Sequence, residues 1–165
     1  MAVSSYVSGL IVQSVPTKGN MKVDRFTADG TWTVPAGVYY AVAHIRGGGG
    51  GVNTNAGAGG ASSVAFASGT ISAAGGNSNV GPSSGFGSNA SSCAGASNSG
   101  KGATGVRNDV SIYYPNISAG DGAYIVAGAD VTPAASITVT VGAGGTAGTS
   151  GAAGGSGYVW IEYLA

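Results

Sequence analysis

The chain has 165 residues, one domain's length with room for a short appendage, and it combines 33 glycines with zero formal net charge and only 7% charged side chains. Six basic residues with no stripe among them exclude the footprint of a nucleic-acid binder, and a lone cysteine, Cys93, excludes an internal disulfide framework and a cysteine zinc site. Low charge at slightly positive mean hydropathy also separates the chain from ordinary disordered segments, which pair low hydrophobicity with high net charge.

The N-terminal stretch MAVSSYVSGLIVQSVPTK alternates weakly and then meets Pro16 and Gly19. Its Ser, Val, Gly and Pro content disfavours a helix, so residues 1–22 are expected to form an extended arm for attachment or subunit contact. No basic side chain precedes Lys18 and the apolar run is interrupted, which makes it a poor secretory signal. No stretch approaches the roughly 18 apolar residues of a membrane span, so cytoplasmic synthesis without membrane insertion is the expectation.

FTADGTWTV at 26–34 reads as one strand with Trp32 and Val34 on a common face. Pro35-Ala36-Gly37 predicts a turn, and 38–45 a second strand running directly into the glycines at 47–51. From Gly47 to about Gly105 the chain is Gly, Ser, Ala and Asn, broken by apolar pieces at 61–66 and 69–71. No charge falls between Arg46 and Lys101. RNDVSIYYPNISAGDGAY follows at 107–124, then strand signals at 124–126, 137–141 and 158–163, the last two separated by a second glycine tract, 142–157.

No segment carries helical periodicity with caps. The fold class predicted is therefore all-β: a small β-sandwich with glycine-rich connections and essentially no helix, spanning 23–165, with 77–123 a variable exposed insertion. Strands at both ends of the chain imply that the glycine tracts lie within the frame of the fold. Ordering backbone costs roughly 1–2 kcal/mol per residue, with glycine at the expensive end. Only dense backbone hydrogen bonding could offset that, as in packed threefold helices, so polyglycine-II-like runs are one expectation. A set of flexible loops is the other.

Several enzyme-like motifs fail on context. Gly142-Ala-Gly144-Gly-Thr-Ala147 fits the dinucleotide fingerprint, but GTSGAAGGSG cannot form the helix that receives the pyrophosphate. Gly95–Lys101 resembles a P-loop with Gly102 where the magnesium-binding hydroxyl belongs. Gly81-Pro-Ser-Ser-Gly85 lacks the strand and helix of a nucleophile elbow, and the only histidine, His44, sits on a strand where packing is its commoner role. The acidic residues show no metal-ligand spacing, although Asp109 and Asp121 could meet in space. No catalytic residue, metal site or cofactor is expected.

Four blocks taken in order carry a resemblance: FTADGTWTVPAGV at 26–38, the strand ending IRGGGGG at 45–51, VTPAASITVTVGAGG at 131–145, and GGSGYVWIEYL at 154–164. Together they resemble the glycine-rich domain at the ends of bacteriophage tail fibres and tail tips. The resemblance spans 26–164 in outline, with Ala134-Ala135 where that family usually has glycine after the turn proline, and it is silent over 77–123. It implies a virion protein, commonly trimeric, in which packed polyglycine helices hold loops that touch the host surface. Partners would then be other virion proteins, reached through residues 1–22, and a host surface glycan or outer-membrane protein. The receptor-contact candidates are Phe86, Lys101, Arg107, Asn108, Asp109, Tyr113, Tyr114 and Asn116, since aromatic rings cover apolar sugar faces while neighbouring polar groups fix hydroxyls. The competing reading packs Tyr113 and Tyr114 into the sandwich or a subunit interface. A purely structural virion component, such as a capsid decoration, fibre shaft or tip plug, is the alternative function, and a cellular glycine-rich surface or ice-binding protein a remoter one.

Overall fold

A computed structural model of the chain describes residues 19–52, 55–78, 91–93, 95, 98–108, 113–148 and 151–165. Among the described residues there are eleven strands and no helix: β1 Met21–Phe26, β2 Gly30–Thr33, β3 Tyr40–Arg46, β4 Ser62–Phe66, β5 Gly69–Ala73, β6 Ser91–Cys93, β7 Thr104–Asn108, β8 Tyr113–Ser118, β9 Tyr124–Asp130, β10 Ser136–Thr140 and β11 Tyr158–Leu164. Two four-stranded antiparallel sheets, ordered β1-β11-β3-β9 and β2-β10-β4-β5, face each other as a sandwich. A third sheet, β6-β7-β8, stands apart from them.

The sandwich core follows from strict alternation. In β3 Ala41, Ala43 and Ile45 point inward, in β11 Val159 and Ile161, and opposite them lie Trp32, Val64, Ile137 and Val139. Asp24 reaches the edge of this core, where its carboxylate accepts Trp32 Nε1–H at 2.8 Å and the Tyr163 hydroxyl at 3.1 Å.

The stretch expected as one strand at 26–34 is two strands in different sheets. Thr27–Asp29 bend the chain across the sandwich, Asp29 accepts the Val141 amide at 2.7 Å, and the Phe26 ring lies where a side chain at Gly30 would stand. Met21 and Lys22, expected in the arm, open β1 opposite Leu164 and Tyr163. The turn at 35–38 forms with Gly37 at φ 79°, and Thr132–Ala135 closes a second turn with Ala134 at φ 63°. The position that favours glycine is thus held by alanine in the second turn.

The glycine tracts form a bundle of seven extended runs, six around one. The central run, 47–52, donates its amides to three antiparallel neighbours: Gly48 and Gly51 to 57–60, Gly49 and Val52 to 152–157, Gly47 and Gly50 to 119–123. Its carbonyls accept from three parallel neighbours, 74–77, 100–103 and 142–148, which alternate with the first three around the ring. Each adjacent pair in the ring is also bonded, and the N···O distances are 2.8–3.2 Å. Residues i and i+3 face the same neighbour, the signature of a threefold extended helix.

In such a bundle the Cβ direction is occupied. A side chain at Gly47 or Gly50 would meet the backbone of 74–78, one at Gly48 or Gly51 that of 142–146, and one at Gly49 the Lys101 carbonyl. Glycine is needed here for close backbone approach, and the φ values stay outside the left-handed region. At the junction with the sandwich, the fully buried Ser62 hydroxyl donates to the Arg46 carbonyl at 2.6 Å and accepts the Gly142 amide at 2.8 Å. At the other end Val52, Ala103, Ala119 and Ala152 form a small second core.

Candidate functional site

The molecule has two distinct ends. Strands β3, β5 and β10 run into the bundle, and β4, β9 and β11 emerge from it, so six strands meet the glycine runs at one end of the sandwich. At the opposite end of the sandwich lie both the start and the finish of the described chain, where Asn20 and Ala165 exchange backbone hydrogen bonds. The far end of the bundle is marked by the described residues Val52, Ala103, Ala119, Gly148 and Gly151.

β7 continues directly from Ala103, and β8 leads directly into Ala119, so the third sheet extends the bundle outward from its small apolar cap. Its register sets Arg107 opposite Tyr114 and Asn108 opposite Tyr113, with a bulge between Gly105 and Arg107. Bulges re-aim side chains and increase local twist. Four of the sequence-predicted contact residues are therefore neighbours on one hairpin, and Asn116 lies further down β8. Phe86 and Asp109 lie outside the described residues.

Lys101 stands apart from that group. It lies near the sandwich end of run 100–103, and its Nζ donates to Asp121 Oδ2 at 2.8 Å. The same carboxylate accepts the Gly102 amide at 2.8 Å and Arg46 Nη2–H at 3.2 Å. The Lys101 hydrogen bond, followed by that from Gly102, holds the Asp121 carboxyl below its ordinary range despite a small desolvation effect. This cluster clamps β3 to two glycine runs and engages Asp121 with two cations, while Asp109, the other carboxylate considered beside it, lies outside the described residues.

A second surface was not singled out by sequence reasoning. The outer face of β1-β11-β3-β9 carries Tyr158, Trp160, His44 and Tyr124 in a connected group. His44 Nδ1 lies 2.7 Å from the Tyr124 hydroxyl and Nε2 lies 3.4 Å from Glu162, so each ring nitrogen has a polar neighbour. Arg25 stacks over Trp160 at 5.3 Å, and the indole Nε1 is shielded with no acceptor among the described residues. Met21, Val23, Tyr40, Val126 and Leu164 are exposed on the same face. The signal was present in YVWIEYL and YAVAHIR, where both alternate sets include aromatic or apolar residues, whereas a solvated face would be polar.

The dinucleotide-like segment 142–146 is a run of the bundle rather than a helix start. Among the described residues no group of three His, Cys, Asp or Glu side chains could hold a metal, and no helix is long and apolar enough to cross a membrane. No family model, curated protein or solved structure matches the chain.

Proposed function

We propose that this protein is a bacteriophage tail-fibre or tail-tip component whose bundle end recognises a molecule on the host-cell surface. The observation that carries the reading is the polarity of the fold. Asn20 and Ala165 pair at the base of a side-chain-packed sandwich, while a backbone-bonded bundle carries strands β7 and β8 at the opposite end. Recognition residues on connections held by a rigid scaffold are the usual division of labour in binding proteins. In this reading residues 1–18 join the neighbouring virion protein, and Arg107, Asn108, Tyr113, Tyr114 and Asn116 meet a surface glycan or outer-membrane protein.

The experiment is competition for adsorption. Purified protein should bind host cells and slow phage adsorption, and alanine at Arg107, Asn108, Tyr113 and Tyr114 together should abolish both without lowering the melting temperature by more than a few degrees. Protein that neither binds cells nor competes would defeat the reading.

A second reading, a structural virion component without receptor binding, is favoured by the exposed apolar outer face of β1-β11-β3-β9, since patches of that kind mark protein contacts. Removing residues 1–18 while keeping β1 separates the two. An adhesin should still bind cells, whereas a structural component should fail to enter particles and show no cell binding in either form.

A further inference from the structure

We propose that the outer face of β11 carries a saccharide subsite at Trp160 that takes an anionic hexopyranose, a sugar ring bearing a carboxylate. It lies beside the sandwich end of the bundle, away from the β7–β8 hairpin, and does not depend on what that hairpin binds.

A hollow of about 300 Å³ opens between the end of β1 and the start of β11, lined by Arg25, Thr27, Asn98, Tyr158 and Trp160 among others. That volume is at the small end of ligand sites and suits one sugar ring. The Tyr158 and Trp160 rings stand 5.4 Å apart at 58°, forming an aromatic corner in which the C–H face of a pyranose can lie against one ring and its edge against the other. Aromatic walls alone would also suit a peptide side chain. The polar groups narrow the choice.

Arg25 is exposed, and among the described residues no carboxylate pairs with it. The two acids nearest along the sheet are both engaged elsewhere: Asp24 turns inward to Trp32 and Tyr163, and Glu162 faces His44. Among the described residues the guanidinium is therefore a cation without a counter-ion, stacked on the ring that forms the wall of the hollow. Its planar donor fork matches a carboxylate.

Asn98 stands across the hollow in a left-handed turn (φ 53°), fixed by its backbone amide and its Oδ1, both bonded to Ser156 Oγ. Neither bond uses its Nδ2 donors, and Asn98 and Thr27 both line the hollow, where an amide and a hydroxyl suit ring hydroxyls. An anion and hydroxyls on one apolar-faced ring describe an acidic sugar. A single cation gives nothing for a nucleic-acid backbone.

The test is saturation-transfer NMR on the full chain with sodium D-glucuronate, D-glucose and sodium acetate as probes. Glucuronate should receive saturation at its ring protons, with affinity at least tenfold above glucose, and acetate should not displace it at equal concentration. Arg25→Gln, an exposed substitution, should reduce the preference for glucuronate over glucose to less than threefold, and Trp160→Ala should abolish binding of both sugars. No transfer to glucuronate, equal affinity for the two sugars, or a preference unchanged in Arg25→Gln would each overturn the proposal. Sedimentation showing that a second copy covers this face would overturn it too.

Discussion

The sandwich and the glycine bundle are built from one chain by opposite means. In the sandwich, Ile45, Val139, Val159 and Ile161 bury side chains, each contributing roughly 1.5–3 kcal/mol, and sheet hydrogen bonding sets the register. In the bundle there is almost nothing to bury, and the ordering of glycine is offset by hydrogen bonds to six neighbouring runs and by backbone contact that only the lack of a Cβ permits. The lesson is that the same residue type has two unrelated roles. Gly37 and Gly69 are chosen for φ and face open space, whereas Gly47–Gly51 are chosen for room.

That contrast breaks most sharply at Gly49. Gly49→Ala drives a Cβ into the Lys101 carbonyl in the middle of the ring, and we expect a loss of at least about 3 kcal/mol in denaturant unfolding. Gly37→Ala, which meets only φ strain, should cost about 1–2 kcal/mol. Equal losses at the two positions would remove the distinction between them.

Next in size is the seam between the two regions. Ser62→Ala leaves the buried Gly142 amide without its acceptor and should cost about 1–3 kcal/mol, read as a shift in the urea midpoint. A smaller effect of opposite sign belongs to the sandwich. Ala134→Gly relieves the left-handed turn position after Pro133 and should stabilise by about 0.5–1 kcal/mol.

The smallest effect is electrostatic. The folded-state pKa of Asp121 is depressed, so its contribution is fully present above the ordinary carboxylate value of 3.8 and is lost as pH falls through the lower folded value. Asp121→Asn should flatten that part of the acid limb of stability while leaving stability near pH 7 little changed, because the cluster is well exposed. An unchanged acid limb in thermal melts from pH 5 to pH 2 would deny the clamp a role.

Much of the sandwich was legible because side-chain alternation is written residue by residue. The strand at 137–141, the closing strand near 158–163 and the Pro35–Gly37 turn are all found close to where periodicity and turn chemistry place them. The split at Thr27–Asp29 was hidden, since Asp29 is bonded to Val141, 112 residues away. Order in the glycine runs could be argued from energetics, but not the ring of six, because glycine carries no facing information: the period of three lives in the backbone contacts of distant runs. Arg107, Asn108, Tyr113 and Tyr114 read as a polar-aromatic cluster in sequence and prove to be paired on one hairpin. Lys101 carried the same signal and belongs to a clamp, since nothing local announces that Asp121 and Arg46 will meet it.

Native-state hydrogen exchange tests most directly whether the glycine tract is a framework able to hold β7 and β8 in place. The amides of Gly48, Gly49, Gly50 and Gly51 should exchange as slowly as those of Val42–Ile45 in β3, within about tenfold, because they sit at the centre of the bonded ring and open with the fold as a whole. Exchange of those four amides at the rate of an unstructured peptide, while β3 stays protected, would contradict the account and return the tract to a flexible tether.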